Sequence, residues 1–110
     1  MVKSSHRKAL EKIAACPSRF GFEDILATII EANLYNRKGQ IVAQPDLILY
    51  SSEGDIYVIE YKSNGDKKLI ERAKDQLYNS VQWFSKYTSI IPKTKIINGT
   101  NYKGKFNKKQ

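Results

Sequence analysis

Apolar and polar positions along the chain follow two different periods, and the change from one to the other marks out the elements. Leu10, Ile13 and Ala14 recur at helical spacing behind Ser4 and Ser5, either of which can cap a helix, and Cys16-Pro17 closes the run. A first helix is therefore predicted over about residues 5–15. From Gly21 to about Asn33, the residues Phe22, Ile25, Leu26, Ile29 and Ile30 fall on one arc at about 100° per residue, which predicts a second amphipathic helix. Asn36-Arg37-Lys38-Gly39 is turn chemistry, and Gln40–Ala43 is a candidate short strand. Two strand-like runs follow, Asp46–Tyr50 and Ile56–Lys62, joined by the five residues Ser51–Asp55 with Gly54 among them, a hairpin signature. Asp66 to about Tyr87 reads as a long helix with Leu69, Ile70, Ala73, Leu77, Val81 and Phe84 on one face. Pro92 ends that region, Thr94–Ile97 reads as a strand, and Asn98-Gly99 turns into a last strand around Tyr102–Phe106. The order predicts one small α/β domain over residues 1–110, a mixed central β-sheet flanked by helices.

Side chains alternate along a strand, so Glu60 and Lys62 share a face with Ile56 and Val58, while Tyr57, Ile59 and Tyr61 take the other. Apolar residues on both faces argue for a central, covered strand with its charges at the rim, where they need partners. If Tyr50 faces Ile56 across the loop, Asp46 falls opposite Glu60. Opposed Cβ atoms lie about 4.5–5.5 Å apart, and like charges there are destabilising. Two carboxylates so placed share a proton or a cation. A hard divalent ion such as Mg²⁺, with Mn²⁺ as a substitute, would turn the repulsion into a site. Lys62 adds a positive charge on the same face, where a phosphate or an attacking water would lie.

The second predicted helix offers a further carboxylate. Glu23 lies roughly 90° from the centre of its apolar arc, at the border of the buried face, and Glu31 roughly 170° away on the polar side. Glu23 is thus the residue expected to lean into a site, with Glu31 in solvent. On the long helix Gln76 flanks the apolar stripe beside Arg72 and Trp83, either as an ordinary boundary residue or as a holder of water or phosphate.

Composition narrows the class. The chain has 110 residues, a single Cys and a net charge of +8. One cysteine makes no internal disulfide, which fits a reducing, cytoplasmic setting for a soluble protein. No apolar run reaches the ~18–20 residues of a membrane span, and no signal-peptide segment follows the basic start. The charge sits at the ends: residues 1–12 carry a net +3 and residues 92–110 a net +6, around a middle of −1. A basic first helix and a lysine-rich tail around a near-neutral body point to a polyanion, most often nucleic acid. Lys3, Arg7, Lys8, Arg72, Lys103 and Lys105 are the candidate phosphate contacts, with solvated tails as the plain alternative for the last ten residues.

Other chemistries find little footing. His6 is the only histidine, so no His-based metal cluster or Ser/His/Asp triad can be built, and it is expected at the surface near Arg7 and Lys8. Cys16 reads as a small residue at a helix end. The glycines lack the spacing of a phosphate-binding or dinucleotide fingerprint.

Pro45-Asp46, thirteen intervening residues and Glu60-Tyr61-Lys62, with apolar strands on each side, resemble the PD-(D/E)XK nuclease motif. The resemblance is to the part shared by archaeal Holliday junction resolvases, RecB-family exonuclease domains and NucS-type endonucleases, and it spans about residues 21–80. It implies a restriction-endonuclease-like core. It also implies that Asp46 and Glu60 bind Mg²⁺ with the Tyr61 carbonyl as a third ligand, and that Lys62 assists the attacking water. Glu23 stands where resolvase-like members carry their helical Glu as a further metal ligand. Asp75-Gln76-Leu77 looks like the glutamine motif of RecB- and NucS-type members, with Ser80 where the RecB pattern has a Tyr.

The expected activity is Mg²⁺-dependent hydrolysis of DNA phosphodiester bonds, as in repair or recombination, with Glu23, Asp46, Glu60, Lys62 and Gln76 carrying it. A junction resolvase would be a homodimer with paired sites, whereas an end- or flap-directed nuclease could act as a monomer. The alternatives are a non-catalytic nucleic-acid-binding module of the same fold and an RNA-directed nuclease. No small-molecule cofactor and no membrane partner are expected.

Overall fold

The computed structural model describes residues 4–99, and the candidate last strand around Tyr102–Phe106 lies outside them. Helix α1 (Ser5–Ala15) starts where the Ser4 hydroxyl accepts the Arg7 N–H at 3.0 Å. A single 3₁₀ turn, Pro17–Phe20, leads into strand β1 (Ile25–Ile30). The short strands β2 (Leu34–Tyr35) and β3 (Ile41–Ala43) form a hairpin of their own. Strands β4 (Leu47–Ser51) and β5 (Ile56–Lys62) make the predicted second hairpin. Helix α2 (Lys67–Tyr87) follows, and β6 (Lys93–Asn98) is the last strand described.

The main sheet has the order β1-β4-β5-β6. Its first two pairings are antiparallel, and β5–β6 is parallel with α2 as the crossover. A parallel pair needs such a long connection, and the crossover helix covers one face of the sheet. On that face Val58 packs with Leu77 and Phe84 of α2 and with Leu34 and Ala43 of the small hairpin. On the other, Leu10 and Ile13 of α1 pack with Leu47, Leu49, Ile59 and Tyr61. The two sides of β5 are therefore the two cores, as its alternation predicts. No helix among the described residues is long and apolar enough to cross a membrane.

The segment read as a second helix is β1 instead. Its apolar residues match a helical arc, but four of the six in ILATII are β-branched, which favours a strand. Left-handed φ values of +54° at Asp24 and at Glu31 end the strand on both sides. Leu26 and Ile29, which a helix would have buried with Ile25 and Ile30, are 66% and 52% exposed. Pairing with β4 across five positions outweighs the local period.

At the far end of β6, Gly99 passes so close to the loop after β5 that a Cβ there would overlap the Ser63 carbonyl oxygen. Glycine is required by that approach, whatever its φ.

Candidate active site

The β4–β5 register pairs Tyr50 with Ile56 and Leu47 with Ile59, so Asp46 and Glu60 face each other one position past the last pair. The geometry there is reciprocal. The Asp46 backbone N–H donates to Glu60 Oε2 at 3.0 Å, and the Tyr61 N–H donates to Asp46 Oδ2 at 2.8 Å. Each carboxylate thus holds the backbone of the other strand where the ladder has run out. In a strand the N–H and C=O of one residue point to the same side, so the Tyr61 carbonyl also faces the Asp46 edge.

Glu60 has no exposure, and its Oε1 is buried without a hydrogen-bond partner among the described residues. Burial, and then the neighbouring charge of Asp46, push its carboxyl up to about 8, against smaller opposing pulls from the Asp46 N–H and from Lys62. A buried oxygen with an open lone pair beside a second carboxylate is a hard-donor arrangement suited to a small divalent cation. Asp46, Glu60 and the Tyr61 carbonyl are the groups that fit one. Among the described residues, no three His, Cys, Asp or Glu side chains cluster closely enough to hold a metal ion by themselves. Water or phosphate oxygens would complete such a site.

The structure brings His6 to this cluster, which corrects its expected place at the open surface. Its Nε2 lies 3.2 Å from Asp46 Oδ1, and its ring stands 5.7 Å from that of Tyr61. A carboxylate oxygen accepts, so Nε2 carries the proton. The signal was in the helix: His6, Leu10 and Ile13 are spaced i, i+4, i+7, and the last two are fully buried.

Glu23 does not join the site. It is exposed and precedes β1 at the end where Ile25 pairs with Ser51, five residues of strand (~17 Å) from Asp46. The reversal follows from replacing the helix by an antiparallel strand. The acid that strand delivers is Glu31, whose N–H donates to the Asp46 carbonyl at 2.8 Å. The Glu31 carboxylate accepts from Arg7 Nη1 at 2.6 Å, and Arg7 Nε also reaches Glu11 at 3.2 Å. These hydrogen bonds, Glu31 first, raise the Arg7 pKa. Arg7, expected to be a phosphate contact, is held by two carboxylates. Reading residues 25–30 as a strand antiparallel to β4 would have placed Glu31 opposite Asp46.

Lys62 ends β5 on the Glu60 face and has no ion-pair partner among the described residues. Gln76 is exposed on α2 beside Gln44, two residues before Asp46. It is not hydrogen-bonded to the carboxylates. Arg72 and Lys8 are exposed. Lys3, Lys103 and Lys105 lie outside the described residues.

No family model matches the chain, and no curated protein matches it in sequence. Among solved structures, a repair endonuclease from Pyrococcus abyssi is similar in fold, with a TM-score of 0.59 over 99% of this chain at 16% identity. The chain spans 45% of the length of that structure. The likeness is one of fold, shared with part of that endonuclease.

Proposed function

We propose that the chain is a metal-dependent DNA nuclease of the PD-(D/E)XK type. The observation that carries the reading is the opposed pair Asp46 and Glu60 at the open end of the sheet, with a buried Glu60 oxygen that has no partner among the described residues and with Lys62 two positions further on the same face. The fold shared with a repair endonuclease supports it, and so does the +8 charge of the chain.

In this reading Asp46, Glu60 and the Tyr61 carbonyl hold Mg²⁺, which when bound supplies Lewis-acid activation of water and charge stabilisation at the phosphate. The chain's own groups do the rest. Asp46 is kept in place by the Tyr61 N–H and by His6, so its oxygens are oriented before any ligand arrives. The Lys62 ammonium orients the attacking water and meets the negative charge that develops on the phosphoryl oxygens. Lys8 and Arg72 lend sequence-independent attraction to the backbone, which weakens as salt is raised. Glu23, set apart by the fold, has no part in the mechanism.

The test is cleavage of labelled duplex, single-stranded, flap and four-way-junction DNA with Mg²⁺, Mn²⁺ or EDTA, for the wild type, Asp46→Asn and Lys62→Ala. Cutting that needs the metal and is lost in both variants supports the reading. Binding without cutting under every condition overturns it in favour of a binding module.

A further inference from the structure

A groove runs between the β2–β3 hairpin and α2, made of three depressions with shared walls. The one nearest the carboxylates, of about 260 Å³, is lined by Gln44, Gln76 and Asn79 among others. The next, of about 240 Å³, shares Val42 and Asn79 with it and adds Gln82 and Trp83. The last, of about 450 Å³, shares Asn36, Lys86 and Tyr87 with the second and adds Arg37 and Lys38 from the hairpin turn. Along α2 the groove extends from Gln76 to Lys86, about 15 Å of helix.

Its chemistry is one-sided. Among the described residues, no Asp or Glu lines any of the three depressions. Arg37, Lys38 and Lys86 have no carboxylate partner among the described residues, whereas Arg7 and Lys93 do. Between the amide-lined end and the cationic end stands Trp83, fixed by its indole N–H to the Tyr35 carbonyl at 2.8 Å, with Tyr87 beside it at 5.7 Å between ring centroids. Cations for phosphates and aromatic walls for bases are the features of sequence-tolerant single-strand binding. Only the last depression reaches the volume of an ordinary small-ligand site and the other two fall just short of it, a scale of single nucleotides and not of a duplex.

We infer that this groove carries a single strand of DNA away from the Asp46–Glu60 pair, with Arg37, Lys38 and Lys86 on its phosphates. The inference rests on the nuclease reading for its choice of DNA, and it assigns that nuclease a substrate with a single-stranded arm.

The full chain contains one tryptophan, so Trp83 emission reports on this groove alone. Oligo-dT is titrated into the wild type, Asp46→Asn and the triple variant Arg37→Ala/Lys38→Ala/Lys86→Ala, following Trp83 emission and the anisotropy of labelled oligo-dT at several salt concentrations. The three substituted positions are exposed, so the fold is retained. The expected result is a salt-sensitive change in Trp83 emission in the wild type and in Asp46→Asn. In the triple variant the log–log salt slope should be shallower by about 2, three phosphates at about 0.7 each. Oligo-dT binding that leaves Trp83 unmoved, an unchanged slope in the triple variant, or no oligo-dT binding by the wild type overturns the inference. Oligo-rU acting at lower concentration than oligo-dT overturns the assignment to DNA. A wild type that shows the Trp83 response yet cuts nothing removes the nuclease reading and leaves the groove standing.

Discussion

His6 and Asp46, forty positions apart, meet through Nε2 and Oδ1 at 3.2 Å. The contact ties the first turn of α1 to the loop that opens β4, so the helix that covers one face of the sheet also orients the carboxylate at its end. Asp46 is bonded through both oxygens, to His6 on one side and to the Tyr61 N–H on the other.

His6→Ala should therefore lower cleavage while leaving the fold intact. A hydrogen bond to a charged group contributes about 1.5–3 kcal/mol, which in a rate is about 10–100-fold. His6→Gln, which keeps a donor, should recover part of the loss. Single-turnover cleavage beside circular dichroism checks this, and an unchanged rate in His6→Ala would remove the positioning role.

Glu60 gives the metal-free protein a pH dependence with a definite sign. Its carboxyl is raised from 4.5 to about 8 in the folded chain, so the folded state binds the proton more tightly than the unfolded state does. Its contribution is fully present below pH 4.5 and declines as the pH rises towards 8, at up to about 1.4 kcal/mol per pH unit. Urea unfolding in EDTA at pH 5 and pH 8 should show lower stability at pH 8, and Glu60→Gln should remove most of the difference. Mg²⁺ should restore stability at pH 8 in the wild type and not in Glu60→Gln.

The two glutamates that flank β1 should separate cleanly. Glu23→Ala, at the far end, should leave cleavage within about 2-fold, well under 1 kcal/mol. Glu31→Ala leaves Arg7 held by Glu11 alone and should lower the rate by about 5-fold, near 1 kcal/mol, with a stability change of no more than about 1 kcal/mol for so exposed a pair. Equal effects of the two substitutions would contradict the placement of β1.

Ser80 is fully buried on α2, and its hydroxyl has no partner among the described residues. Ser80→Ala removes that unsatisfied group and adds a better helix former. Thermal unfolding should show a gain of about 1 kcal/mol, with cleavage unchanged; a loss of stability would mean that the hydroxyl is satisfied in solution.

The parts of the fold legible in the sequence are those set locally. The bounds of α1 and α2 follow from caps and apolar spacing, and the five-residue loop with Gly54 is enough to put Asp46 opposite Glu60. Strand β1 was not legible in this way, because Phe22, Ile25, Leu26, Ile29 and Ile30 satisfy the helical period while the pairing that decides the matter lies on β4. That single reversal moves Glu23 out of the site and Glu31 to it. His6 lay on the buried face of α1 by its spacing, but that Asp46 stands beneath it is a property of how α1 packs on the sheet. The groove under the small hairpin is likewise a product of packing, since Lys86 is 48 positions along the chain from the Arg37-Lys38 pair.

The close approach of Gly99 to Ser63 has a practical consequence for anyone handling the protein. Ser63 follows Lys62 directly, so Gly99 packs at the mouth of the site, and Ser4, which caps the turn that presents His6, stands near it too. A fluorophore or surface linker attached through a cysteine placed at Ser4 or Ser63, both exposed, would be tethered beside the carboxylates and compete with whatever enters. Immobilisation through an exposed position on the opposite edge, such as Ser52 in the β4–β5 turn, leaves that mouth open.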